Sequence, residues 1–93
     1  MNENFAYPLL PEWTTKEIIA IVDFYAAVEK LYDAGLKRAE FLKHYQNFVQ
    51  IVPAKMIQKQ LDKEFQKASG LSIYKACQAV KNSSAEFVLW REV

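Results

Sequence analysis

Residues 13–35 read WTTKEIIAIVDFYAAVEKLYDAG, and the periodicity of this stretch decides the fold. Thr14 followed by Glu17 has the spacing of a capping box, in which each side chain satisfies a free backbone N–H at a helix start. Trp13 just before the cap and Ile18 one turn inside it have the spacing of a hydrophobic staple. At ~100° per residue, Ile18, Ile21, Val22, Tyr25, Val28 and Tyr32 share one face. Phe24 and Leu31 widen that face to about half the circumference. Gly35 suits the left-handed conformation that stops a helix, so the spacing predicts a helix from Thr14 to about Asp33. A helix with so broad an apolar face belongs at the centre of a core.

Toward the C terminus the same three-and-four spacing recurs. Phe41, Leu42, Tyr45, Phe48, Val49 and Val52 predict a second helix over about Lys37 to Val52, closed by Pro53. Pro53 also suits the first turn of a third helix, about Ala54 to Ser69, packing through Ile57, Leu61, Phe65 and Ala68. Gly70 stops it, and Ser72 caps a shorter fourth helix with Ile73, Ala76, Cys77 and Val80 on one face. Asn82-Ser83-Ser84 breaks that helix, and the tail EFVLWREV is an apolar run whose secondary structure the pattern does not decide. Toward the N terminus, Pro8 and Pro11 hold FAYPLLPEW extended along the core. The expectation is an all-α fold: a compact irregular array or bundle of four helices with an extended N-terminal segment and a short apolar C-terminal tail. Residues 1–93 read as a single helical domain.

Composition narrows the function classes. Hydrophobic residues make up 52 % of the chain and aromatic residues 14 %, enough for a self-standing core. Twelve Lys and Arg against eleven Asp and Glu lack the basic surplus of a dedicated nucleic-acid binder. The opening MNENFAYPLL has neither a basic n-region nor a long apolar run, and no stretch approaches the roughly 20 apolar residues of a membrane span. The expected location is cytoplasmic, away from membranes.

The motifs reached along this chain resemble the uncharacterised protein family (UPF) 0223, small proteins of Bacillus and related Gram-positive bacteria. The resemblance rests on Tyr7-Pro8, Trp13-Thr14-Thr15 with Glu17-Ile18, Val28-Glu29 and Tyr32. It continues through Ile51-Val52-Pro53 with Lys55, Glu64-Phe65, Ser69-Gly70 and Ser72-x-Tyr74, and covers roughly residues 5–80. Ala54 and Leu71 stand where the family pattern leads one to expect Ser and an aromatic, and the FVLW tail lies outside that pattern. The resemblance implies a helical cytoplasmic domain and no assigned activity.

Catalytic and metal chemistry find little to work with. The available nucleophile–base pair is Cys77 with His44, and Cys77 lies on an apolar helix face where a free thiol acts as a small hydrophobe. One His and one Cys are too few for zinc, and the carboxylates lack calcium-loop spacing, so neither cofactor nor metal is expected and the chain reads as a non-enzyme. Glu29 falls beside Ile18 and Val22 on the apolar side of the first helix, where a half-buried carboxylate calls for a cation or backbone donor; a salt-bridged anchor is expected.

Two surfaces stand out. Lys55, Lys59, Lys63 and Lys67 recur every fourth residue opposite the apolar face of the third helix, either as a solvated face or as an anion- or nucleic-acid-binding ridge. The helix–Ser–Gly–Leu–Ser–helix junction around Gly70 faintly resembles a helix-turn-helix, although Gln66 and Ser69 occupy positions that such a motif fills with small or apolar residues. The aromatic excess, Phe5, Tyr7, Trp13, Trp90 and the helix tyrosines, suits an interface, the alternative being that the two terminal segments seal the ends of the bundle, as the staple geometry favours for Trp13. The expectation is a small cytoplasmic interaction or regulatory protein. It binds a protein partner or itself through Tyr7, Trp13, Phe87 and Trp90, with nucleic-acid association through the lysine ridge as the lesser alternative.

Overall fold

The computed structural model describes residues 7–90; Phe5, one of the aromatic excess, lies outside them. Four helices run in sequence: α1 (Thr15–Asp33), α2 (Arg38–Ile51), α3 (Lys55–Ser69) and α4 (Ile73–Asn82). Two short strands, β1 (Leu36–Lys37) and β2 (Phe87–Val88), pair antiparallel with Leu36 opposite Val88 and Lys37 opposite Phe87. The tail therefore adds a small ladder to the expected four-helix array.

The start of α1 forms as the sequence predicts. The Thr14 amide donates to Glu17 Oε1 at 2.9 Å and the Glu17 amide donates to Thr14 Oγ1 at 3.1 Å, completing the capping box. Along α1, Ile21, Phe24, Tyr25, Val28 and Leu31 are fully buried at the centre of the core. Phe24 stacks on Phe48 of α2 with centroids 4.5 Å apart and meets Phe41 edge-on at 5.8 Å. Tyr25 stacks on Phe65 of α3 at 5.1 Å. Aromatic pairs at these separations add directional preference to the burial of apolar area.

The polar tips of α1 fasten the irregular segments. The Tyr25 hydroxyl donates to the Pro8 carbonyl at 2.8 Å, holding the extended N-terminal segment. The Tyr32 hydroxyl donates to the Ser72 carbonyl at 2.8 Å, holding the α3–α4 turn. Leu31 O lies in the last helical turn, where carbonyls lack intrahelical partners, and it accepts from the Trp90 amide at 3.0 Å.

Gly35 has φ +83° and Gly70 φ +81°, the left-handed geometry expected at both helix ends. Gly35 does a second job: a Cβ there would stand 2.6 Å from the Phe87 ring and 2.8 Å from the Val88 carbonyl oxygen. The tail lies directly on that glycine. Two smaller departures concern α3. Pro53 precedes the N-cap residue Ala54 and does not enter the helix, and Ile57, expected in the core, is exposed while Leu61 and Phe65 are buried. Met56 beside Ile57 is exposed as well, so the first turn of α3 is less covered than the turns that carry Leu61 and Phe65.

Candidate interaction site

Of the four aromatic residues singled out in the terminal segments, two face inward. Trp13 is a core residue at 9 % exposure, as the staple position favours. Tyr7 is half-buried against Tyr25 and Phe65, and its hydroxyl donates to Glu29 Oε1 at 2.6 Å. Burial first, then the hydrogen bond and charge of Glu29, push the Tyr7 phenol up to about 12. Among the described residues the donor that meets Glu29 is thus a phenol, where a salt bridge was expected. A half-buried carboxylate requires a donor, and the aromatic N-terminal segment delivers one.

The other two lie on the tail. Phe87 is 56 % exposed although one edge of its ring rests on Gly35. Val88 is buried, Leu89 exposed and Trp90 half-buried, so the tail is docked through alternate residues. The Trp90 Nε1 is buried without an acceptor among the described residues. Glu29, which holds Tyr7, and Leu31, which holds the Trp90 backbone, are about 200° apart around α1. The N-terminal and C-terminal segments are thus fastened at different positions around α1.

The tail forms a cleft of about 460 Å³ with α4, whose lining includes Tyr74, Lys75, Gln78, Val88, Leu89 and Trp90. Tyr74 at 65 % exposure and Leu89 at 48 % are apolar groups presented to solvent at this cleft. Sequence reasoning passed over both. The available signal for Tyr74 was an aromatic residue out of phase with the core face Ile73, Ala76, Cys77 and Val80.

All four ridge lysines, Lys55, Lys59, Lys63 and Lys67, are exposed. The structure divides them. Lys55 and Lys59 border a groove of about 320 Å³ that also involves Lys81 and Tyr45, whereas Lys63 and Lys67 do not line it. Asp62 spends its carboxylate on the start of α4, accepting from the Ile73 amide at 2.7 Å and the Tyr74 amide at 3.2 Å. Ser72 adds the side-chain cap, accepting from the Lys75 amide. A helix-turn-helix reading of this junction would bring phosphates near a helix start already occupied by a carboxylate.

Cys77 lines the same groove, and His44 does not. Burial pushes the Cys77 thiol up to about 12 despite the opposing charge of Lys81, which suits a packing role and not a thiolate nucleophile. Among the described residues no cluster of His, Cys, Asp or Glu is placed to hold a metal ion, and no helix is long and apolar enough to cross a membrane.

The family model of the uncharacterised protein family UPF0223 matches residues 4–89. The chain belongs to this family. A UPF0223 protein of Streptococcus thermophilus is 45 % identical over 85 residues, covering 91 % of each chain. One from Bacillus mycoides is 44 % identical over 78 residues, covering 84 % of this chain and 88 % of the relative. A third, from Listeria welshimeri, is 44 % identical over 81 residues, covering 87 % and 90 %. The UPF0223 match runs to Leu89, so it takes in Phe87 and Val88, which the sequence motifs had left outside the family pattern. The strand β2 is therefore part of the matched stretch, and Trp90 follows just beyond it.

Proposed function

We propose that this UPF0223 chain is a cytoplasmic, non-enzymatic interaction protein that receives an apolar segment of a protein partner, or of a second copy of itself, at the cleft between α4 and β2. The observation that carries this reading is the exposed apolar rim of that cleft, Tyr74 and Leu89, with the exposed Phe87 nearby on β2. Large apolar and aromatic groups combine contact area with few rotatable bonds, and interface cores are enriched in them. Of the terminal aromatics, Trp90 lines this surface directly and Phe87 lies beside it against Gly35, while Tyr7 and Trp13 support it through the core. Nucleic-acid association along Lys55, Lys59, Lys63 and Lys67 is the lesser reading, because the net charge is only +1 and Asp62 places a carboxylate at the start of α4.

The test uses the tagged full chain beside a Tyr74→Ala/Leu89→Ala double variant and a Met56→Ala control, Met56 being exposed on α3 away from the cleft lining. A near-stoichiometric partner recovered from nuclease-treated lysate should bind the purified wild type and the control and lose the double variant. Self-association would appear as a concentration-dependent sedimentation coefficient abolished by the same pair. A wild type that stays monomeric and retains no partner sensitive to Tyr74 and Leu89 would overturn the reading.

A further inference from the structure

We propose that the groove among α2, α3 and α4 is a binding site for a nucleoside phosphate, with the phosphates held by Lys55, Lys59 and Lys81 and the base laid against Tyr74. The groove shares Tyr74 and Gln78 with the cleft at the tail, but its lysines lie outside that cleft, and the proposal does not depend on the protein-partner reading.

The argument begins with the direction of the groove. Asp62 meets the first amides of α4, so Asp62 and Tyr74 mark one end. Lys59 and Lys55 lie about one and two turns before Asp62 on α3, and Gln78 and Lys81 lie about one and two turns beyond Tyr74 on α4. All of them line the same groove. It therefore runs from an aromatic end at Tyr74 to a cationic end where Lys55 and Lys81 approach from opposite walls.

Charge and polarity then select the ligand. Three lysines face one carboxylate, and both oxygens of that carboxylate accept hydrogen bonds from α4 amides. Lys81 Nζ is held at the mouth, 4.7 Å from the centroid of the Tyr45 ring and 3.2 Å from its hydroxyl oxygen. A cation positioned in this way loses less freedom on meeting an anion. The floor is apolar, from Phe48, Ile73 and Cys77, and Gln58 and Gln78 add amides able to meet the edge of a base. Tyr74 leaves most of its ring exposed for stacking. A volume of about 320 Å³ falls at the lower end of small-molecule sites, which suits a mononucleotide and is too small for a folded partner. A bare inorganic anion would leave the apolar floor uncovered, and an uncharged ring would leave three cations unanswered.

The experiment titrates the full chain with ADP, GDP and UDP at physiological ionic strength. Binding is read by calorimetry and by amide chemical shifts, with pyrophosphate and adenosine as the charge-only and ring-only arms. At least one diphosphate should bind saturably, shifting the amides of Gln58, Tyr74 and Gln78, and more tightly than pyrophosphate or adenosine. Lys59→Gln and Lys81→Gln should each weaken it by about tenfold, as loss of a charge-assisted contact does. Tyr74→Ala should also weaken it, by about tenfold, while Lys67→Gln, outside the groove, should leave it unchanged. Failure of all three diphosphates, equal binding of pyrophosphate, or equal loss in Lys67→Gln would overturn the proposal.

Discussion

Gly35 and Gly70 form a matched pair that measures how firmly the C-terminal tail is docked. Their φ angles, +83° and +81°, are nearly equal, so replacing either by Ala incurs the same left-handed penalty of about 1–2 kcal/mol. Their surroundings differ. A Cβ on Gly70 meets nothing within 4 Å, whereas one on Gly35 meets the Phe87 ring at 2.6 Å and the Val88 carbonyl oxygen at 2.8 Å. The ring can swing away, but the carbonyl is backbone, so relief requires the tail to move. Moving it endangers the bonds from the Trp90 amide to Leu31 O and from the Arg38 amide to Glu86 O, each of about 1 kcal/mol. Gly70→Ala should therefore cost about 1–2 kcal/mol and Gly35→Ala about 3–4 kcal/mol. Urea unfolding followed by far-ultraviolet circular dichroism gives both values, with the slope compared among variants to detect a changed extent of unfolding. The sharper form is a cycle in a chain cut after Glu86, where Gly35→Ala should fall to the cost of Gly70→Ala. Equal costs for the two glycines in the full chain would refute the reasoning, because the tail would then not rest on Gly35.

Three further outcomes are expected. Glu29→Gln removes the charge from the acceptor of the Tyr7 hydroxyl and should cost about 1 kcal/mol, a fall in melting temperature of about 4–8 °C, with Tyr7→Phe similar and the double variant no worse than the sum. Unchanged melting in both single variants would deny the anchor. Cys77 and Tyr7 are raised from ordinary values of 9.0 and 10.0 to about 12, and burial raises Tyr25 as well, so the fold favours their neutral forms. The associated stability is full below about pH 9 and is lost as pH rises toward 12, and urea midpoints measured across that window should fall less steeply in Tyr7→Phe and Cys77→Ala. Asp62→Ala leaves the Ile73 and Tyr74 amides without their carboxylate, which should cost about 1–2 kcal/mol and speed hydrogen exchange at those two amides, whereas Asp62→Asn, keeping one acceptor oxygen, should cost less.

The helices were legible because their signals are local. Thr14 and Glu17 form the capping box, and the structure ends α1 at Asp33 and α3 at Ser69, as Gly35 and Gly70 indicated. Periodicity supplied the phase of each apolar face but not how far its partner covers it, and Ile57 has the phase of Leu61 and Phe65 yet keeps 36 % of its surface exposed. The ladder between β1 and β2 was hidden for another reason. Two-residue strands are too short to show alternation, and Leu36 and Val88 lie far apart in the chain. Glu29 declared a need for a donor without naming it, since a carboxylate accepts from a phenol as readily as from a cation. The ridge of Lys55, Lys59, Lys63 and Lys67 was visible as a pattern on one helix. Its division was not, because Lys81 and Tyr45 reach the groove from other elements.

Both candidate surfaces depend on α4, and the way this helix is held explains why. Asp62 and Ser72 satisfy its first amides, the Tyr32 hydroxyl grips the turn before it, and Arg38 Nε donates to the Val80 carbonyl near its other end. A short helix restrained at both ends presents its outward side chains at fixed positions, which binding requires more than length. Its inward face, Ile73, Ala76, Cys77 and Val80, is committed to the core. Its outward residues Tyr74 and Gln78 line both the tail cleft and the lysine-bordered groove. Nothing in the packing of α4 demands a tyrosine at position 74, where any polar residue would spare the exposure of an aromatic ring. An aromatic side chain held on a ridge between two openings is the group on which both proposals converge, so Tyr74→Ala is the one substitution that tests both surfaces at once.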